Sequence, residues 1–403
     1  MRRKTTPFSA YNAENGVVFA EKVCYHGVYQ GIAMYIHELK NWPHFSWDQK
    51  RLDDLLIQLR HQQGRLMGGM TSIGFPIQNE TVLQNLTQDV IKSSEIEGEI
   101  LDPSQVRSSV ARRLGMEEAA LNPLDREVEG VVEMTLDATR KFDQPLTKER
   151  LFYWHTSLFP NGRSGFSKIS TGTWRTGPVQ VVSGQMGKEK IHFEAPSADL
   201  VDREMEFFLD WINGDKAIDL VLKAAIAHLW FVTIHPFDDG NGRIARAIAD
   251  FILARSEASS LRFYSLSTQI QKERKSYYAV LEKTQKGTLN ITSWIEWFFH
   301  CLRGAIETAL STLDSILHKA HLWEVLAKMP LNERQKKILN RLFDGFEGKL
   351  TSSKWAKMTK CSQDTAYRDI LDLIHRGILI KSVEGGRNTS YTLATLLPGG
   401  LIK

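Results

Sequence analysis

The 403-residue sequence predicts a mainly α-helical protein with a small α+β domain at its C-terminal end, and three patterns predict it. Apolar residues recur at helical spacing through most of the chain, residues 176–196 alternate like a β-hairpin, and residues 332–403 read as short helices followed by short strands. With 42% hydrophobic and 24% charged residues the chain is globular and long enough for two or three domains. Cys24, Cys301 and Cys361 lie far apart without a CxxC pair, so the sequence suggests neither a disulfide framework nor a zinc site and points to reduced cytoplasm. MRRK at the start is followed by TTPFSAYNAENG, which has no apolar run, so export is not expected. The longest apolar stretch, AAIAHLWFVTI at 224–234, is too short to cross a bilayer and reads as a buried helix, so no membrane partner is expected.

Residues 1–33 show no sustained periodicity and read as an N-terminal extension. From Trp47 onward, Leu52, Leu55, Leu56 and Leu59 predict an amphipathic helix; a second is expected over 79–98, with Asn79 as its cap and Gly98 as its stop. Two helical patterns follow in 125–160, broken near QPLT, where Thr147 and Arg150 mark a fresh helix start. TGPVQVVSGQMGKEKIHFEAP, 176–196, combines alternating β-branched residues with a glycine-containing turn and predicts the hairpin. Helical spacing resumes from Ala198 to about Lys328. Helices are then expected near 333–344, 352–359 and 363–375, and two strands around a glycine turn in GILIKSVEGGRNTSYTL, which together make a winged helix-turn-helix pattern. The expected divisions are 1–33, 34–119, 120–310, a connecting helix at 311–331, and 332–403.

Within this frame, HPFDDGNGRIAR at 235–246 concentrates polar and glycine residues immediately after the apolar run. GNG interrupts the helix before it and IARAIADFILAR begins another, so the glycines lie at a helix N-terminus. Orphan N–H groups and the positive end of the helix dipole make such an end an anion site. Arg243 and Arg246 are three apart, on one face of the first turn, where two guanidinium groups would hold further phosphate oxygens. Asp239 supplies the oxygen chemistry that suits magnesium, and His235 is the nearby group whose ordinary pKa suits proton abstraction near neutrality. A Walker phosphate loop is excluded by the absence of GK[ST]. Taken singly, each residue also fits a solvated helix end; the combination reads as a phosphoryl or nucleotidyl transfer site.

The stretch matches every fixed position of HxFx(D/E)GNGRxxR and so resembles the Fic domain nucleotidyltransferases, with the likeness covering roughly 120–310. That resemblance implies a helical Fic core, with the hairpin at 176–196 as a flap that holds an extended target segment by strand addition. It also implies ATP as substrate and Mg2+ as cofactor, with His235 as general base, Phe237 as the loop's anchor and Asp239 as the metal ligand. Asn241, with the amides around Gly240 and Gly242, would hold the α-phosphate, and Arg243 and Arg246 the β- and γ-phosphates. RKSYYAVLEKTQ, 274–285, resembles the adenine-pocket segment and makes Tyr277, Tyr278, Leu281 and Gln285 candidates, although an aromatic pair on a helix also fits a core. SSEIEG, 93–98, matches the family's (S/T)xxxE(G/N) inhibitory helix through Ser93, Glu97 and Gly98. Glu97 would occupy the guanidinium of Arg246; at an effective dielectric near 20 an ion pair at 4 Å is worth roughly 4 kcal/mol before desolvation.

Residues 332–403 carry 13 Lys or Arg against 7 Asp or Glu, a net of +6 in a chain of +4. Lys354, Lys357, Arg368 and Arg387 are candidates for DNA phosphates, and Gln363, Thr365 and Tyr367 for a groove; the same pattern also serves protein interaction. The sequence therefore reads as an autoinhibited, cytoplasmic protein adenylyltransferase that moves AMP from ATP to a Ser, Thr or Tyr hydroxyl of a target protein, itself included. The alternatives are a nucleotide-sensing DNA-binding regulator and a Fic enzyme moving another phosphate-containing group. The family resemblance makes a homodimer the expected assembly.

Overall fold

The structure, a computed structural model, describes residues 20–23, 35–116, 125–184, 189–214, 218–327, 329–343, 345–382 and 389–394. The chain divides into two compact units, residues 1–313 and 314–403. The expected region 34–119 and core 120–310 thus belong to one unit.

The first described element is strand β1 (Ala20–Val23), inside the stretch read as an N-terminal extension. Strand pairing is made by main-chain groups, so a four-residue strand needs no side-chain periodicity to announce it. Helix α1 (Gln49–Ser72) starts where Asp48 accepts the N–H of Arg51 at 3.2 Å. Helix α2 spans Phe75–Ile96. It starts four residues before the expected cap, Asn79, because Pro76 fits the first turn, where its missing N–H costs nothing. At its other end Gly98 takes φ 89°, a left-handed conformation that stops the helix where the sequence places it.

Helix α3 (Pro103–Leu114) is not anticipated by periodicity, since Val106 and Val110 supply most of its buried face. Its start, Asp102 followed by proline, and its end, Gly115 at φ 75°, are nevertheless regular helix signals. Helices α4 (Arg126–Arg140) and α5 (Lys148–Leu158) follow, with Thr147 capping the N–H of Arg150 at 3.2 Å. A short pair, β2 (Arg163–Ser164) and β3 (Ser167–Lys168), leads to the hairpin of β4 (Val179–Ser183) and β5 (Lys190–Glu194). The sheet order is β1-β4-β5, all antiparallel.

The centre of the unit is built by α7 (Leu220–Ile234), which follows α6 (Val201–Asn213), packed on α8 (Asn241–Glu257). Every residue from Val221 to Ile234 is buried, as expected of a helix apolar on all sides. Around this pair α2 packs on α9 (Leu266–Lys272), and α4 packs on both α5 and α8. Trp294, on the helix that follows α10 (Arg274–Gln285), donates its indole N–H to Ala225 O at 2.7 Å. That last helix, α11, is continuous from Thr292 to Leu326, so no separate connecting helix begins at 311.

In the second unit α12 (Glu333–Phe343), α13 (Ser352–Thr359) and α14 (Gln363–His375) precede an antiparallel pair, β6 (Leu379–Lys381) and β7 (Tyr391–Leu393). They enclose a core of Ile338, Leu339, Trp355, Ile370, Leu373 and Ile378. Arg334 grips Asp369 through two bonds of 2.7 and 3.0 Å. Among the described residues no helix is long and apolar enough to cross a membrane.

Candidate functional site

The site is built on the six residues joining the two central helices. Helix α7 ends at His235, which adopts φ 53° and ψ 57°, a left-handed conformation uncommon outside glycine. The His235 ring Nδ1 lies 3.1 Å from Val232 O, and since a carbonyl only accepts, Nδ1 carries the proton and Nε2 is the basic nitrogen of the neutral ring.

The main-chain turn at His235 is held by Arg175, which is 2% exposed. Its Nε donates to His235 O at 2.7 Å, its Nη1 to Gly177 O at 2.8 Å, and its Nη2 to Pro196 O; its own N–H reaches Pro236 O at 2.9 Å. One guanidinium thereby ties both feet of the β4–β5 hairpin to the end of α7. Burial pulls its pKa down to about 10, which leaves it charged at neutral pH.

The rest of the loop is pinned from within. Phe237 is fully buried and stacks on His155 with ring centroids 4.1 Å apart. His155 accepts the Gly172 N–H at Nδ1 and donates from Nε2 to Asp239 O, each at 3.2 Å; burial lowers its pKa to about 4, so it is neutral. Asn241 spends its side-chain amide on Phe237, accepting its N–H at 3.0 Å and donating to its carbonyl at 2.9 Å. The Asn241 side chain thus braces the loop, because the buried backbone of Phe237 has to be satisfied. Asp239 accepts the Gly240 N–H at 2.5 Å and the hydroxyl of Ser164.

Helix α8 then starts without a side-chain cap: Gly240, at φ 83°, precedes it, and an added Cβ there would lie 2.9 Å from the Phe159 ring. A Cβ on Gly242 would run into the carboxylate of Glu97. That carboxylate belongs to the C-terminal end of α2 and meets Arg246 Nη1 at 2.8 Å. Ser93 takes the remainder of the guanidinium, its Oγ accepting from Nε at 2.9 Å and its carbonyl from Nη2 at 2.8 Å. Arg246 is 1% exposed. Burial opposes its charge, and Glu97, Tyr277 and Tyr278 more than offset this, so its pKa lies above the ordinary arginine value. Arg243 is also held by a carboxylate, since its Nη1 lies 2.5 Å from Glu99 Oε2.

A pocket opens beside these groups, with Glu97, Gly242 and His235 at one side. Tyr277, Tyr278, Leu281 and Gln285 of α10 and Val181 and Phe193 of the flap form its other walls. Tyr277 is largely a core residue, 2% exposed, with its hydroxyl 3.0 Å from His228 Nε2. Tyr278 donates to Ile96 O at 3.2 Å, which connects the pocket wall to the end of α2, and Gln285 donates to Thr233 Oγ1 at 3.3 Å. His192 bridges the flap to α10, with Ser183 Oγ at 2.5 Å from Nε2 and Glu282 Oε2 at 2.6 Å from Nδ1.

Two groups escape sequence reasoning. Arg175 is a lone arginine with no motif around it; Glu99 had a signal, a second carboxylate across Gly98 from Glu97, so that EGE presents two acids at one helix end. As for magnesium, no group of three or more His, Cys, Asp or Glu side chains converges among the described residues. Asp239, partly exposed, stands beside the glycine turn.

Against known proteins, residues 145–253 match the Fic/DOC family, and residues 35–116 match a domain of unknown function, DUF4172. The chain is similar to a probable protein adenylyltransferase of Aquifex aeolicus, 30% identical over 97 residues that cover 24% of this chain and 28% of the relative. It is also similar to protein adenylyltransferase fic-1 of Caenorhabditis elegans, 35% identical over 99 residues that cover 24% of this chain and 18% of the relative. The chain therefore spans less than a third of the length of these relatives. A crystal structure of a Fic family protein from Desulfovibrio desulfuricans G20 aligns with a TM-score of 0.49 at 20% identity, covering 85% of this chain and 97% of that one.

Two stability measurements follow from the geometry. Arg175→Met strips partners from the carbonyls of Gly177, Pro196 and His235, each loss costing about 1–3 kcal/mol, so urea unfolding is expected to show at least about 3 kcal/mol of destabilisation; a change below about 1 kcal/mol would mean that these carbonyls find other partners. Burial lowers the pKa of His155 to about 4 and that of His228 to about 3, while in the unfolded chain each takes a proton near 6.5. The unfolded state then binds more protons at mildly acid pH, so stability is full above about pH 7 and falls as pH drops from 6.5 towards 4. At pH 5 the loss is on the order of 2 kcal/mol per histidine, and equal unfolding free energies at pH 7 and pH 5 would contradict it.

Proposed function

Residues 145–253 form a domain of the Fic/DOC family, and from that premise we propose that the chain is an autoinhibited protein adenylyltransferase, moving AMP from ATP to a hydroxyl side chain of a target protein. The observation that carries this reading is one arrangement: a basic histidine nitrogen and two buried arginines around an uncapped helix N-terminus, with a carboxylate on each arginine.

In the reaction proposed, the target hydroxyl oxygen attacks the α-phosphorus, His235 Nε2 takes its proton, and the bond to the β-phosphate bridging oxygen breaks to release pyrophosphate. The α-phosphate would rest against the first-turn amides of α8, and Arg243 and Arg246 would hold the β- and γ-phosphates. Mg2+, when bound at Asp239, supplies charge neutralisation of the phosphate oxygens. Arg175 and Asn241 keep His235 and the glycine turn in place before substrate arrives, so little reorganisation is left for the transition state. Tyr278, Leu281 and Gln285 are the proposed contacts of the adenine, and the flap the proposed contact of the target.

The same geometry supports restraint. Glu97 fills the space over Gly242 and neutralises Arg246, while Glu99 neutralises Arg243. A triphosphate placed for transfer must displace both carboxylates, so ATP would settle in another pose. Glu99 is therefore a second restraining residue in this reading, weaker than Glu97 because its side chain is 42% exposed.

For the second unit we propose duplex DNA binding by a winged helix. Lys354, Lys357, Gln363, Tyr367 and Arg368 are exposed on α13 and α14, and Thr365 is half-buried, its N–H spent on the Ser362 cap at 3.2 Å. Arg387, the proposed wing contact, lies outside the described residues.

Two experiments test these readings. The protein and its Glu97→Gly, Glu97→Gly/Glu99→Ala and Glu97→Gly/His235→Ala forms are incubated with magnesium and ATP labelled at the α- or γ-phosphate, in the presence of a cell extract as acceptor. His235-dependent label from the α-position alone is expected, raised at least ten-fold by Glu97→Gly, raised again by about two- to five-fold with Glu99→Ala, and abolished without His235; His235-dependent γ-label on protein, or equal α-labelling with and without His235, defeats the transferase reading. For DNA, binding to duplex that falls steeply between 50 and about 200 mM salt is expected, and no binding at the lower salt defeats it.

A further inference from the structure

The flap has two outer edges, and the chain treats them differently. β5 is tied to α10 through His192 and Glu282, 2.6 Å apart. β4 has its outer edge paired along its length with β1, in the register Ala20–Val182, Glu21–Val181, Lys22–Gln180 and Val23–Val179. Twelve residues after Val23, at Tyr35, the chain touches the flap again. Tyr35 packs edge-on against Phe193 of β5, ring centroids 5.2 Å apart at 80°, and His37 does likewise at 5.6 Å and 83°. Tyr35 thereby joins the small apolar cluster of Val179, Phe193 and Ala195 at the base of the hairpin. The N-terminal segment is thus fastened to the flap twice, once by backbone pairing and once by aromatic contact.

A strand edge is a row of main-chain donors and acceptors, and it accepts one strand at a time. Recognition by strand addition takes its affinity from those main-chain groups and is therefore tolerant of sequence. We propose that residues 20–23 are a built-in occupant of the flap's strand-accepting edge, and that an extended segment of a target gains the edge only by displacing them. This rests on the reading of the flap as the target's dock. It adds a restraint on the acceptor to the carboxylate restraint on the nucleotide, and the two act on different substrates. Four paired residues at an edge are a marginal strand, stable enough to cover the edge and weak enough to be exchanged. The fastening at Tyr35 keeps the segment close, so that it competes as an intramolecular ligand at high effective concentration.

The test reads the edge itself and involves no nucleotide, so its outcome is independent of whether transfer occurs. In an antiparallel ladder alternate residues donate to the partner strand, so Glu21→Pro/Lys22→Pro removes one ladder donor whichever phase β1 adopts, and leaves the chain full length. Hydrogen exchange of the amides of 180–182 is followed in the unmodified protein and in this variant, with and without a synthetic peptide of residues 14–30 carrying serine at the position of Cys24. The expected result is exchange roughly ten-fold or more faster in the variant, restored by the peptide, which binds the variant at least ten-fold more tightly than the unmodified protein. Should the unfolding transition of the variant shift markedly, Lys22→Gly/Val23→Gly provides the same comparison by weakening strand formation without a proline. Equal exchange in protein and variants, or a peptide that binds both alike or neither, overturns the proposal.

Discussion

A guanidinium in the middle of a protein has to be neutralised by something, and Arg246 is that guanidinium here. It is 1% exposed, and all three of its nitrogens are engaged by α2: two by Ser93, one by Glu97. The two contacts with Ser93 fasten α2 to α8 whatever else happens, whereas the contact with Glu97 is the one an incoming anion would replace. Because leaving a buried charge unpaired costs several kcal/mol, an anion at Nη1 is strongly favoured over none. The position of α2 and the closeness of Glu97 to Gly242 go with that requirement.

The loop after α7 solves a different problem. It must turn sharply within six residues and still present a histidine nitrogen and a row of amides to one side. The buried amide of Asn241, the His155–Phe237 stack and the fan of bonds from Arg175 remove its freedom one contact at a time. Since Arg175 also grips both feet of the flap, the basic nitrogen and the hairpin are positioned by a single side chain.

How much of this was legible in the sequence depends on the kind of force involved. The mainly helical fold class, the break at Thr147, the stop at Gly98 and the helices of the second unit are written locally, in periodicity and in capping residues. The meeting of Glu97 with Arg246 is a contact between residues 149 positions apart; no local pattern contains it, and it came from a family motif. Contacts outside any motif stayed hidden. Arg175 acts through backbone carbonyls, which every residue possesses, and β1 pairs through main-chain groups, so neither leaves a mark in side-chain pattern. The bonds of the Asn241 side chain are silent for a related reason: the sequence shows that an amide is present but not that the backbone of Phe237 would engage it. Helix α2 begins ahead of Asn79 because Pro76 suits its first turn.

The depth of Arg246 has a further consequence, for the life of the protein rather than for its chemistry. Any event that withdraws Glu97 leaves a positive charge stranded in the core until a polyphosphate replaces it. Release from restraint is then also a loss of thermodynamic stability, recovered in proportion to the logarithm of ligand concentration once that exceeds its dissociation constant. On the proposed scheme, an unrestrained molecule in nucleotide-poor surroundings would unfold more often and be exposed to proteases more often than its restrained counterpart. In the proposed scheme the carboxylate that would restrain the site is, by the same contact, the one that neutralises the buried guanidinium of the empty protein.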